Sequence, residues 1–331
     1  MTIKKMIIFV SDLFFLIRPT LLVPVWTILF LGWITARERI FFQLFDLSFG
    51  KMFILFTAVV GHIYIVNQIA DRESDKINNK LFILSHNHIP VWLAWILAVG
   101  LLIFSLIGAW FWFNDLISFA IILSAAVLGF FYNCPPFKLK DRPWGGFIAN
   151  WFGHGVLTYY AGWYAGAANM PQASSAEFSS AGLLFALSGF LFALSAGFAN
   201  GAVYLTSTIS DMKGDAKVNK RTFAVVYGAK NTSLLATICV VFSFLTAFLI
   251  PNAPWIMIIP AGLCVPLFYS LYKSQKIDRA FKTFRYPVVI LSVATAVFVP
   301  VYAILVIATV VLSRIYYKKR FNLEYPSFRK E

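Results

Sequence analysis

The chain has 331 residues, of which 60% are hydrophobic and only 13% charged, with a formal net charge of +14. A soluble globular domain carries about 25% charged residues, so a water-soluble fold is excluded and a polytopic all-α membrane protein is expected. Cys134, Cys239 and Cys264 are too scattered for a disulfide framework or a metal site, and in a membrane protein the basic surplus reports topology rather than a nucleic-acid partner.

In chain order, residues 1–18 open with Lys4 and Lys5, but their apolar run is cut by Asp12 and Arg18. That pattern fits an interfacial helix rather than a cleaved signal peptide. Apolar stretches near the roughly 20 residues needed to cross a bilayer follow. They lie at 19–36, 52–70, 91–113, 116–132, 145–167, 181–208, 223–250, 255–272 and 286–313, nine expected spans separated by turn and charge breaks.

Basic residues near span ends are retained on the cytoplasmic side. Most of the 28 fall at the N-terminus or in the connections after spans two, four, six and eight. These connections hold Arg72, Lys76 and Lys80; Lys138, Lys140 and Arg142; Lys213, Lys217, Lys220 and Arg221; and Lys273, Lys276, Arg279, Lys282 and Arg285. The connections after spans three, five and seven hold none. The N-terminus and the even-numbered connections are therefore expected in the cytoplasm, of a plasma or inner membrane if the source is prokaryotic. An odd span count leaves the basic tail 314–331, with Arg314, Lys318, Lys319 and Arg320, on the opposite side. Splitting the last segment at Pro300 would give halves of about 13 residues, too short to cross, so one kinked span is expected.

Only 14 residues are acidic, and five of them sit in two cytoplasmic connections. Asn67, Asp71 and Asp75 recur every four residues and share a face if the second span continues through them. Asp211 and Asp215 repeat the spacing where the sixth span ends. Like charges at i, i+4 near a helix C-terminus are mildly destabilising. The plain account is pairing with Arg72, Lys76, Lys213 or Lys217 in solvated loops. Two matching clusters favour another: four carboxylates at one depth make an oxygen-rich site of the kind Mg²⁺ uses to hold phosphates. A shift of 140 residues superposes Asp71 on Asp211, Asp75 on Asp215, Asn79 on Asn219 and Lys80 on Lys220, a weak internal repeat.

These residues resemble the two motifs of the UbiA superfamily of intramembrane prenyltransferases, an NDxxDxxxD after helix two and a DxxxD after helix six. Lys220-Arg221-Thr222-Phe223-Ala224-Val225, the Tyr132 to Lys140 stretch and Arg18-Pro19 are also similar to that family. The resemblance implies a single domain over 1–331, with nine transmembrane helices bundled around a central cavity that opens to the cytoplasm. It departs at Gln68, where the family usually has Asp, at Ser207-Thr208-Ile209-Ser210 before the second motif, and at 80–86.

An isoprenyl diphosphate is an anionic head on an apolar tail, so it suits a metal-lined mouth over a greasy interior. Asp71, Asp75, Asp211 and Asp215, with Asn67 as a neutral ligand, are the expected Mg²⁺ site and catalytic residues. Arg18, Tyr132, Lys138 or Lys140, and Lys213 or Lys217 would add to diphosphate binding. Ionisation of the C1–O bond gives an allylic cation that alkylates a hydrophobic acceptor, an aromatic quinone precursor in the first place. A lipid glycerol, a porphyrin or a haem is the alternative within the family. The membrane lipid itself is the other expected partner. Tyr132, Trp151, Tyr159, Tyr160, Trp163 and Tyr204 are candidates to shield the cation, although most rings in so aromatic a chain simply pack.

His86-Asn87-His88 lacks a third ligand and reads as polar surface. Asn200 and Ser207 are candidates to line the cavity, and Lys230 snorkels. Asp12, Asp115 and Glu177 read as interface residues without a role. The competing class is a cation-coupled secondary transporter, but transporters hold such carboxylates near the membrane midplane rather than at helix ends among basic residues.

Overall fold

The computed structural model describes residues 3–37, 46–77, 82–168, 180–251 and 253–326, and among these it contains helices and no strand. Asn79, Lys80 and Glu177 lie outside the described residues. The helices are α1 (Ile3–Leu16), α2 (Pro19–Thr35), α3 (Leu47–Ala70), α4 (Arg72–Ile77), α5 (Phe82–Ser85), α6 (Val91–Phe113) and α7 (Leu116–Asn133). Next come α8 (Pro143–Ala149), a π-helix (Asn150–Leu157) and α9 (Thr158–Ala167), which run on without a break. They are followed by α10 (Ser180–Lys217), α11 (Phe223–Thr246), α12 (Trp255–Ser274), α13 (Ile277–Phe298) and α14 (Pro300–Phe321).

Eight helices among the described residues are long and apolar enough to cross a membrane, or nine when α1 and α2, bent by 42°, count as one span. Every backbone group inside a bilayer must be bonded internally, which is why these apolar runs are helical. The last expected span needs correction. Residues 286–313 are not one kinked helix; α13 and α14 are 22 residues each and meet at Val299, whose φ of −127° and ψ of 85° leave the helical region. The apolar stretch undercounted both. α13 begins in the amphipathic charged segment from Asp278 to Arg285, and α14 continues through Lys318, Lys319 and Arg320.

The chain forms two compact units: residues 1–23, 54–136 and 301–331 in one, and 24–53 and 137–300 in the other. The first has a core of Phe15, Leu16, Ile65, Val66, Ile83, Leu84 and Tyr316 with Ala94 and Ala98 of α6. Small residues let its helices approach: a Cβ on Gly129 would stand 2.3 Å from Ile63, and one on Gly108 2.4 Å from Leu55. His62 Nδ1 lies 2.9 Å from the Ala98 carbonyl and ties α3 to α6. The outward face of α6, with Trp92, Ile96, Ile103, Ile107 and Phe111, is exposed to lipid.

In this unit Asp12 is buried. Its carboxylate receives the Tyr316 hydroxyl at 2.7 Å and both Nε and Nη2 of Arg320 at 3.1 Å. The interface reading of Asp12 without a role is thereby corrected, and so is the placement of the basic tail. The end of α14 meets α1 instead of standing on the opposite side from the N-terminus.

In the second unit, α2 and α9 cross backbone to backbone. A Cβ on Gly162 would stand 1.8 Å from the Leu29 carbonyl oxygen, and one on Gly32 2.0 Å from that of Tyr159. Gly197 and Gly201 of α10 leave room for Trp151 and Phe147. Ser195 and Ser243 exchange hydroxyl-to-carbonyl bonds of 2.8 Å between α10 and α11. The core there gathers Ala202, Leu205, Phe223, Val240, Cys264 and Phe268.

Candidate active site

In the first unit the motif begins on the last turn of α3. Asp71 stands between α3 and α4, yet its amide bonds the Asn67 carbonyl at 2.9 Å and that of Asp75 bonds the Asp71 carbonyl at 2.8 Å. The i to i−4 ladder therefore continues, and Asn67, Asp71 and Asp75 project from one face as their spacing requires. All three are half-buried. Asn67 Nδ2 donates to Asn133 Oδ1 at 2.8 Å and reaches Asp71 Oδ2 at 3.4 Å. Asn133 is fully buried at the end of α7 and donates to the Gly129 carbonyl at 3.0 Å. The amide orientation of Asn67 is thus set by a neighbour that cannot turn.

Arg72, the nearest candidate to neutralise this cluster, faces elsewhere. Its Nη2 donates to Asn87 Oδ1 at 2.6 Å and its Nε to the Leu84 carbonyl at 3.3 Å. Glu73 and Lys76 are exposed. Gln68, at the family's second position, is buried, and its Nε2 donates to the carbonyls of Leu16 at 2.8 Å and Tyr64 at 3.0 Å. A carboxylate has no proton to donate to those oxygens, which explains physically why this position holds an amide here. Arg18 occupies the bend between α1 and α2 with φ of 60°. Its charge acts on Tyr64 and Tyr317, and Tyr64 is in turn a neighbour of Tyr132.

In the second unit, the 38-residue α10 carries Asp211 and Asp215 on its last two turns. Asp215 is half-buried, and its Oδ2 accepts the Thr222 hydroxyl at 3.0 Å while its carbonyl accepts the Lys220 amide at 2.9 Å. These bonds fold the turn that starts α11. Asp211, Lys213 and Lys217 are exposed. In the preceding connection the alternatives Lys138 and Lys140 separate: Lys138 is exposed, whereas Lys140 is 7% exposed. A lysine is seldom so enclosed unless it is paired.

The aromatic candidates also separate. Tyr159 is fully buried and shares a hydrogen bond with Thr35. Trp163 is buried over Gly189, with Phe185 at 4.5 Å between centroids. Both are packing groups. Trp151 is half-buried on the π-helix, and its Nε1 has no hydrogen-bond partner among the described residues. The Tyr204 hydroxyl points at Gly146, where a Cβ would stand 2.0 Å from it. Asn200 Nδ2 donates to the Asn150 carbonyl at 2.8 Å at the start of the π-helix. The rings of His86 and His88 stack with centroids 6.5 Å apart. Among the described residues no group of three His, Cys, Asp or Glu forms a metal cage.

Sequence reasoning missed three buried polar contacts. Gln68 as a clamp and Asn133 as the partner of Asn67 had no signal beyond being polar in apolar helices. Asp12 did have one, since a carboxylate in an apolar run needs a partner, but that partner stands 308 residues away.

The profile of the UbiA prenyltransferase family matches residues 24–291. A chloroplastic 2-acylphloroglucinol 4-prenyltransferase of Humulus lupulus is 27% identical over 220 residues, 65% of this chain and 51% of that one. A probable chloroplastic homogentisate phytyltransferase 2 of Oryza sativa subsp. japonica is 28% identical over 217 residues, 62% of this chain and 54% of that one. The chain thus spans about half the length of the curated relatives it matches. Among solved structures, a UbiA homologue from Archaeoglobus fulgidus bound to DMAPP and Mg²⁺ aligns with a TM-score of 0.67 at 17% identity, covering 90% of this chain and 99% of that one. A digeranylgeranylglyceryl phosphate synthase aligns with a TM-score of 0.62 at 20% identity, over 89% and 98%. At these identities the structural likeness speaks for the fold. The profile match over most of the chain, with which this fold agrees, establishes that this multi-pass membrane protein belongs to the UbiA prenyltransferase family.

Proposed function

We propose that the protein transfers a prenyl group from an isoprenyl diphosphate to a hydrophobic aromatic acceptor, with Mg²⁺ as its cofactor. The observation that carries this reading is the matched pair of carboxylates at i, i+4 on α3–α4 and on α10, the first held in register by Asn67 and Asn133. The donor set fits the ion. Mg²⁺ takes hard oxygen ligands and is usually held by one or two carboxylates plus substrate phosphates and water rather than by an all-protein cage. Asp71 and Asp75, and Asp211 and Asp215, provide such pairs, with Asn67 as a neutral oxygen. Bound there, the metal would neutralise the charge that develops on the departing diphosphate.

The rest is the work of the chain's own side chains. Arg18, Lys140, Lys213 and Lys217 offer cations to the diphosphate oxygens, and the exposed Lys138 a further one. Enclosure of Lys140 in lower dielectric strengthens its attraction relative to the exposed lysines. The C1–O bond breaks with its electron pair leaving on the diphosphate, and the allylic cation is attacked by an electron-rich ring carbon that then loses its proton. Apolar helices keep water from the cation, and the faces of Tyr132 and Trp151 supply soft negative potential.

An aromatic acceptor is favoured because the acylphloroglucinol and homogentisate enzymes match in sequence, whereas the likeness to the glyceryl phosphate synthase is one of fold. Clustering of Lys and Arg beside both motifs supports a site that faces the cytoplasm. Calorimetric titration of the protein in lipid nanodiscs with geranyl diphosphate tests the donor half of this reading. Heat of binding is expected with Mg²⁺, and its loss with chelator and in the Asp71→Asn/Asp215→Asn variant. Binding indifferent to both would overturn the assignment.

A further inference from the structure

Arg18 sits in the left-handed region, which side chains with a Cβ rarely enter and which persists only where the surroundings over-determine it. Those surroundings are built from distant parts of the first unit. On the α1 side, Gln68 Nε2 donates to the Leu16 carbonyl at 2.8 Å, satisfying an oxygen that the end of the helix leaves open. On the α2 side, the Tyr64 hydroxyl donates to the Leu21 carbonyl at 3.1 Å, and the hydroxyls of Thr20 and Tyr325 share a bond of 3.0 Å. Behind the bend, Arg320 grips Asp12 with two nitrogens, and Tyr316 bonds the same carboxylate while stacking on Phe15 at 3.8 Å.

Two of these supports come from the C-terminal end, residues 316–325. The C-terminal end lies outside residues 24–291, which the family profile covers, and its contacts to the bend around Arg18 are a property of this chain. A guanidinium reaches bidentate geometry on phosphate only when its base is held in direction. A bend that could swing would lose that direction.

We infer that the C-terminal segment is a strap whose Arg320 and Tyr325 are positioning residues for Arg18, holding the α1–α2 bend so that the guanidinium is aimed at the diphosphate of the donor. The inference rests on the reading of Arg18 as a diphosphate ligand. The strap acts on the donor head and leaves acceptor binding alone. Its two grips also differ in kind. The Asp12–Arg320 pair anchors α1 through a buried carboxylate, while the Tyr325 hydroxyl touches the first turn of α2 and tunes its angle.

A double-mutant cycle on the full chain in nanodiscs separates positioning from plain support. Arg320→Gln and Tyr325→Phe are each expected to raise the KM for geranyl diphosphate about tenfold, with the acceptor KM unchanged and with most of the loss at position 320 restored by Arg320→Lys. In an Arg18→Ala background, the same two changes are expected to have no further effect. Effects that multiply in both backgrounds, or that move donor and acceptor constants together, would make the strap merely structural and overturn the inference. Should Arg320→Gln fail to fold, Tyr325→Phe, which removes one half-buried hydroxyl, carries the test alone. If Arg18→Ala weakens donor binding while neither strap variant does, this inference alone fails. If Arg18→Ala leaves donor binding intact, the underlying reading of Arg18 falls with it.

Discussion

Replacing Asp71 with Asn sets stability and chemistry against each other at one atom. Asp71 is half-buried near the end of the run through α3 and α4, one turn before Asp75 and beside Asn67. Neutralising it removes a like-charge i, i+4 pair worth about 0.2–0.5 kcal/mol. It also removes an anion from the negative end of the helix run, worth about 0.3–1 kcal/mol. The Asn67 Nδ2 contact at 3.4 Å is long for a hydrogen bond and survives in the amide. The variant is therefore expected to be more stable than the parent by about 0.5–1.5 kcal/mol. Loss of a ligand to the metal that faces the departing diphosphate is expected to cost about 3–4 kcal/mol in the transition state, so turnover is expected to fall by a factor on the order of 10²–10³. Thermal unfolding in detergent reads the first quantity, and single-turnover transfer of a labelled prenyl group reads the second. Lower stability together with lost activity would make Asp71 a structural residue, and activity within about threefold of the parent would refute the metal assignment.

Two further predictions concern the frame that carries the site. Gly162→Ala would push a Cβ to 1.8 Å from the Leu29 carbonyl oxygen, backbone that no rotamer change can move. A loss of about 3 kcal/mol is expected, whereas Gly100→Ala, with nothing within 4 Å, is neutral or stabilising by up to about 1 kcal/mol; equal thermal shifts for the two would contradict the close crossing of α2 and α9. His88 lies in the connection before α6 and is held below its ordinary pKa of 6.5 by partial burial and then by the Arg320 and His86 charges, against the opposing pull of Asp12. The unfolded chain therefore binds the proton more readily as pH falls through 6.5. Stability is full above that value and declines below it. The loss of melting temperature on going from about pH 7.5 to about pH 5.5 is expected to shrink in His88→Asn, and an unchanged loss would clear His88 of the effect.

Most of the helical order was legible because lipid leaves a chain little choice: an apolar run long enough to cross has to be a helix. Legibility failed where a helix was not apolar throughout. α13 begins with Asp278, Arg279, Lys282 and Arg285, and α14 ends with three basic residues, so a count of apolar residues saw only the stretch between and fused the two. The motif carboxylates were legible for the opposite reason, as rare charges at a repeated spacing. Their register on α3–α4 follows from the helical period alone. What surrounds them was not legible. That Arg72 turns to Asn87 and that Gln68 donates to Leu16 are decided by neighbours outside the local spacing, and no pattern in the sequence separates the enclosed Lys140 from the exposed Lys138. The Asp12–Arg320 pair is the extreme case, since nothing near residue 12 announces a partner at the other end of the chain.

The most direct test of the central claim is transfer itself. Native membranes containing the protein are supplied with isotope-labelled prenyl diphosphates of several chain lengths, with Mg²⁺ or with chelator, and the extracted lipids are analysed by mass spectrometry. A labelled aromatic product that requires Mg²⁺ and disappears in Asp71→Asn is expected. A labelled product that forms equally well in chelator, or in that variant, would contradict the claim.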